Sequence, residues 1–275
     1  MLIKMFLDEQ PLLIFGGSYS NLEATLALKV WAESNGFLPE QCINTGDIVA
    51  YCANPFETIE LIREWGVHSI QGNVEQSLAN DAIDCGCGFE SGTTCDTLSR
   101  GWFSFANDQV TQDQRRWFAG LPESLSIAYG EYQMHVLHGA VSNINRFMYA
   151  SLADNDFNRE FQLVPEADVV IAGHSGLPFT KSVNNKIWHN SGALGMPAND
   201  GTSRVWFSTL EVNMDGSIDF QHHHLDYDAK TTSQRMQDRG LNQGYHTSLL
   251  SGLWPSMDVL PAQESQQQGI ALTFG

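Results

Sequence analysis

Positive charge is scarce in this sequence: its 275 residues carry 14 Lys and Arg against 32 Asp and Glu, a formal net charge of −18. So acidic a surface repels phosphate backbones and anionic lipid, which argues against nucleic-acid and membrane-surface partners. A phosphate ligand, if there is one, then needs something other than surface Lys and Arg to neutralise it, and a bound cation is the usual solution. No apolar run reaches the ~18 residues of a membrane span. The N-terminal stretch is interrupted by Lys4, Asp8 and Glu9 and lacks the apolar centre of a signal peptide, so the protein is expected not to be exported. Cysteine is sparse and odd in number (Cys42, Cys52, Cys85, Cys87, Cys95). A chain this long needs no disulfide staples, so a reducing cytoplasm fits best.

Apolar material is sufficient, at 42% hydrophobic and 11% aromatic, to bury a sizeable core. From Pro11, short apolar runs end in Gly plus a polar residue, and helical patterns follow. Residues 12–17, 41–46 and 67–72 read as strands. Asn21 is placed to cap a helix carrying Leu22, Leu26, Val30 and Trp31, and Pro55 to open one through Ile59, Ile62 and Trp65 to Gly66. This alternation predicts βαβ units and a parallel sheet. Residues 81–120 break the pattern and read as a Cys- and Gly-rich inserted loop followed by a helix or two. Strands resume at 134–139 and 168–174. Segments 186–190, 204–212 and 217–224 alternate in strand fashion, the last two joined by a turn at Asn213-Met-Asp-Gly216. The expected division is a domain over 1–225, with its insert at 81–120, and a polar extension over 226–275 packed on it.

Four strand ends share one grammar: Thr45-Gly-Asp47, Gln71-Gly-Asn73, Leu137-His138-Gly139 and Ala172-Gly173-His174. The carboxyl ends of parallel strands lie along one edge, where ligands bind. One carboxylate, one amide and two imidazoles therefore converge, a donor set suited to a borderline divalent ion such as Mn, Fe, Zn or Ni.

These residues resemble the motif blocks of the calcineurin-like metallophosphoesterases, in order and spacing, over roughly residues 11–215. Thr45-Gly-Asp47 is similar to the family's Gly-Asp block, Gly72-Asn73 to Gly-Asn-His, His138-Gly139 to the single-His strand, and Gly173-His174-Ser-Gly176 to Gly-His-x-His. Asn190-Ser-Gly-Ala-Leu-Gly195 resembles the loop that follows. The resemblance implies an α/β fold, a four-layer αββα sandwich of two mixed sheets flanked by helices. It also implies a two-metal centre that hydrolyses phosphate esters, and within the family the chain is most similar to the bacterial phosphodiesterase and diadenosine-polyphosphatase-like branch. Asp47 would be the bridging carboxylate, and Asp47 and His138 the residues at the chemistry.

The chain departs from the pattern at one half of that centre. Gly17 and Tyr19 stand for the Asp and His of the opening Asp-x-His-Gly-Asn block, Gly176 for the second His of Gly-His-x-His, and Val74 for the His expected to assist the leaving group. Tyr19, or the thiols of Cys85, Cys87 and Cys95, are candidates for rebuilding a second metal position. Arg146, in the loop after His138, is the first candidate for holding the phosphate, a surface salt bridge being the equal alternative for it, and Asn143 of the same loop and His189 are weaker candidates. Trp102 and Trp188 would either wall a nucleobase or fill the core, and His222-His-His224 would be solvated. The leading expectation is a slow hydrolase of a small phosphate mono- or diester that uses a metal-activated water. The alternatives are a catalytically degenerate member that binds a phosphorylated ligand or partner, and a cysteine-loop metal site with non-phosphate chemistry.

Overall fold

Apolar residues run without alternation through Leu12–Phe15 and Val169–Ala172 because both faces of these strands are covered. The computed structural model describes residues 2–7 and 9–274; Met1, Gly275 and the Asp8 that interrupts the N-terminal stretch lie outside them. The strands are β1 (Leu2–Leu7), β2 (Leu12–Phe15), β3 (Cys42–Asn44), β4 (His68–Ser69), β5 (Ser124–Tyr129), β6 (Tyr132–Val136), β7 (Val169–Ala172), β8 (Pro178–Val183), β9 (Lys186–Ser191), β10 (Val205–Val212) and β11 (Ile218–Leu225). The helices are α1 (Leu22–Ser34), α2 (Pro55–Trp65), α3 (Asn73–Ala79), α4 (Thr94–Gln109), α5 (Gln112–Gly120), α6 (Asp154–Leu163), α7 (Ala229–Asp238), α8 (Tyr245–Ser251) and α9 (Ala262–Gln266).

The strands form the two mixed sheets that the resemblance implies, in the orders β1-β5-β6-β7-β9-β8 and β11-β10-β2-β3-β4. Alternate side chains explain the layers. Leu12, Ile14 and Ile43 of one sheet meet Ile127, Val136, Val169 and Ile171 of the other in a shared core. Leu13 and Phe15 point the opposite way, towards α1, α2 and α4, and Val170 and Ala172 towards Phe157 and Phe161 of α6. Helix, sheet, sheet and helix are thus the four layers. Asn21 caps α1 by accepting from the Ala24 N–H, and Gly66 ends α2 in the left-handed region.

Three strands lie where no strand is expected from the sequence: β1, β5 and β8. Conversely, the run 67–72 shortens to the two residues of β4. Met236 of α7 and Tyr245 and Leu249 of α8 join the core that covers β2, so the C-terminal segment contributes to the helical layer itself. Among the described residues no helix is long and apolar enough to cross a membrane.

Candidate metal centre

Each sheet delivers two of the four predicted donors. Asp47 follows β3 and Asn73 follows β4 as the first residue of α3; His138 follows β6 and His174 follows β7. In β6 and β7, Val136 pairs with Ile171, so the two histidines leave the sheet side by side, and the Gly173 N–H donates to the His138 carbonyl at 2.6 Å. Gly46 makes the approach of the other sheet possible. With φ +92, it sits where a Cβ would stand 2.5 Å from the Gly72 nitrogen and 2.9 Å from His138 Nδ1.

His138 Nδ1 lies 2.7 Å from the Thr45 carbonyl, which assigns its proton to that nitrogen and leaves the Nε2 lone pair pointing inward. Nε2 then faces Asn73 Oδ1 at 3.1 Å, His174 Nδ1 at 3.1 Å and Asp47 Oδ2 at 3.3 Å. One nitrogen cannot satisfy three such neighbours with one proton, whereas a cation satisfies all four donors. Donors bound at about 2.0–2.2 Å from one ion stand about 3.0–3.4 Å apart, and the three distances to His138 Nε2 fall in that range. The ligand atoms of Asp47, His138 and His174 all lie within 4.8 Å of one another.

The electrostatics agree with a site built for positive charge. Burial works to lower the pKa of His138, but the charge and hydrogen bond of Asp47 and the Thr45 carbonyl outweigh it, and the net shift is upward. Burial, then the neighbouring charge of His138, push His174 down to about 3. Burial would raise Asp47, yet His138 holds it below the ordinary carboxylate value.

Glu75 escapes a reading of the sequence. Its buried carboxylate accepts from the N–H groups of Asp47 (2.7 Å), Gly72 (2.8 Å), Ile48 (2.9 Å) and Val49 (3.4 Å), joining the Asp47 turn to the start of α3. Burial, followed by the charge of Asp47, raises its pKa to about 7. The only local signal is a Glu three residues beyond Gly72 at a helix start, a capping-box spacing. Asn190 plays a matching part on the other sheet, donating to the Gly173 carbonyl at 2.6 Å and to Ser175 Oγ at 2.9 Å.

Two of the three thiols that are candidates for a second metal position are not free. Cys85 and Cys87 are joined as a disulfide, Gly86 bending at φ +64 between them, so the expected free thiolates are absent at both positions. Their loop instead orients a ligand: Asn73 Nδ2 donates to the Cys85 carbonyl at 2.8 Å and approaches Cys87 Sγ at 3.3 Å, turning Oδ1 to the centre. Cys95 keeps a free, buried thiol. Aromatic rings take the vacated space. A Cβ on Gly17 would stand 2.5 Å from Tyr19 Cζ, and one on Gly176 would meet Trp254 Cζ2 at 3.5 Å. Trp254 is anchored there by its indole N–H, which donates to the Pro197 carbonyl at 2.6 Å. What remains beside Asp47 and His174 is a cavity of about 60 Å³, lined also by Tyr19, Tyr51, Cys95 and Tyr245.

Arg146 is not brought to this group. Its guanidinium is held by Glu160 (2.5 Å) and Asp156 (3.2 Å) of α6. Asn143 is exposed, its Oδ1 accepting from the Asn145 N–H within the same loop. His189 is buried between Thr180 (2.8 Å) and Ser208 (2.7 Å). Trp102 and Trp188 are core side chains, and His222 and His223 are half-buried against Thr180 and Thr209.

Comparison with known proteins bears on the same residues. The calcineurin-like phosphoesterase superfamily domain matches residues 22–214, more than half of the chain. No curated protein sequence matches. Among solved structures, a metallophosphoesterase from Sphaerobacter thermophilus is 21% identical, with a TM-score of 0.67 over 89% of this chain and 99% of that one. A hypothetical protein from Pyrococcus horikoshii is 17% identical, with a TM-score of 0.73 over 90% of this chain and 99% of that one. Identities this low show a shared fold. With the domain match and the two-sheet sandwich together, the chain belongs to the calcineurin-like phosphoesterase superfamily.

Proposed function

We propose that this chain is a one-metal hydrolase of small phosphate esters. The carrying observation is the convergence on His138 Nε2 of three further donors from both sheets. Asp47, Asn73, His138 and His174 would hold a divalent transition metal. When bound, such an ion polarises a phosphoryl oxygen and lowers the pKa of water. The protein's own part is to fix the donors: Thr45 sets the His138 tautomer, Glu75 the Asp47 turn and the Cys85–Cys87 loop the Asn73 amide.

A cavity of about 60 Å³ has room for a phosphoryl head and not for a nucleotide, so the rest of the substrate stays outside. Val74 supplies no proton to a leaving group, which forgoes roughly 10²–10⁴ in rate. Turnover is therefore slow. The filling of the second half-centre by Tyr19 and Trp254 favours a second reading, a member that binds a phosphorylated ligand without cleaving it.

The test is a panel of phosphate mono- and diesters offered to protein loaded with Mn, Fe, Zn or Ni. Slow turnover abolished by chelator and by Asp47→Asn supports hydrolysis. No turnover together with binding of inorganic phosphate supports the second reading.

A further inference from the structure

Tyr19 covers Gly17 with the end of its ring, the carbon that bears the hydroxyl, 2.5 Å from where a Cβ would stand. The side chain packs edge-on against Tyr51, with ring centroids 4.8 Å apart, a role that phenylalanine would fill equally well. The hydroxyl is what packing leaves unexplained. The residue is only 6% exposed and lines the cavity shared with Asp47 and His174, yet its hydroxyl has no hydrogen-bond partner among the described residues. The oxygen is not enclosed by other side chains but opens into that cavity, where it is free to donate.

The backbone adds a second, independent sign. Tyr19 (φ 51), Asp47 (φ 55), Tyr51 (φ 40) and His174 (φ 61) all adopt the left-handed region, and all four line this cavity. Bulky residues accept that conformation only where their surroundings impose it, and such strain gathers at ligand sites. Here the Tyr19 N–H donates to the Asp47 carbonyl at 3.2 Å, and the Cys52 N–H to the Tyr19 carbonyl at 3.1 Å. The turn that aims Asp47 therefore also aims Tyr19.

We infer that the Tyr19 hydroxyl is a hydrogen-bond donor to an oxyanion held beside Asp47 and His174, the phosphoryl group of the ester in the function proposed above, on which this inference rests. A neutral donor at this position does part of the work of a second cation, stabilising negative charge on the phosphoryl oxygens without becoming a metal ligand.

Tyr19→Phe tests this with three readouts on the full, metal-loaded chain. Metal content should stay as in the wild type. Inorganic phosphate, titrated calorimetrically, should bind about tenfold or more weakly. Any turnover should fall by roughly 10²–10³. In the wild type, phosphate should also perturb the ultraviolet absorption of tyrosine, and this signal should shrink in the variant to what Tyr51 and Tyr245 contribute. Unchanged phosphate affinity overturns the inference, and so does loss of metal with the hydroxyl, which would make Tyr19 a ligand. If the wild type binds phosphate but cleaves no ester, and Tyr19→Phe weakens that binding, the hydrolase reading fails while the donor stands. If the wild type binds no phosphate, both fall.

Discussion

His138 Nε2 stands 3.1 Å from His174 Nδ1, two ring nitrogens from neighbouring parallel strands with Asp47 and Asn73 closing around them from the other sheet. In the absence of metal, the positive charge this arrangement favours is carried by His138, whose pKa lies above the usual histidine value.

Metal and proton therefore compete for His138. Ion affinity should fall about tenfold per pH unit below that raised pKa and level off above it. Metal-free stability should show the opposite slope. The His138 contribution is fully present below about pH 6.5, the unfolded value, and is lost as pH rises through the higher folded value. Calorimetric titrations and melting curves of both forms across this range measure the two slopes; parallel slopes would refute the competition.

Glu75→Gln should destabilise the fold by about 2–3 kcal/mol, because an amide nitrogen replaces an oxygen that now accepts from backbone N–H groups. Metal affinity should fall with it, since the Asp47 turn loses its tie to α3. Urea denaturation and metal titration report the two effects; a loss of stability with unchanged metal affinity would uncouple Glu75 from the site.

Restoring the family pattern by Gly17→Asp, Tyr19→His and Gly176→His should not by itself create a second metal site, because the Trp254 indole occupies the space beyond position 176. Adding Trp254→Ala should raise the stoichiometry from one to two. A second equivalent in the triple variant alone would show that Trp254 is no obstacle.

These contacts also show where the sequence is legible. Asp47, Asn73, His138 and His174 can be found because each ends an apolar run with a Gly directly beside it, a local pattern. The sequence does not separate the two sheets that carry them, since β1 pairs with β5 more than a hundred residues away. The strand β8 is hidden by its three consecutive polar residues Thr180, Lys181 and Ser182, which break the apolar alternation. Glu75 is hidden for a different reason: its partners are backbone N–H groups, which carry no side-chain signature. Trp254 fills the gap at Gly176 from the far C-terminal segment, a packing relation that no spacing encodes. Arg146 looks like a phosphate ligand in an acidic chain because its ion-pair partners lie on a helix yet to come.

Arg146→Ala should cost about 2 kcal/mol of stability, because Glu160, whose side chain is 1% exposed, is left without its guanidinium partner. Partial solvation of the arginine keeps the loss moderate. Metal content and phosphate affinity should not change. A phosphate affinity that drops with stability intact would return Arg146 to the ligand site.

Metal stoichiometry tests the one-metal centre most directly. Protein purified without added metal and then titrated with zinc should bind one tight equivalent, and His138→Ala with His174→Ala should bind none. Two tight equivalents in the wild type, or an unchanged equivalent in the double variant, would contradict it.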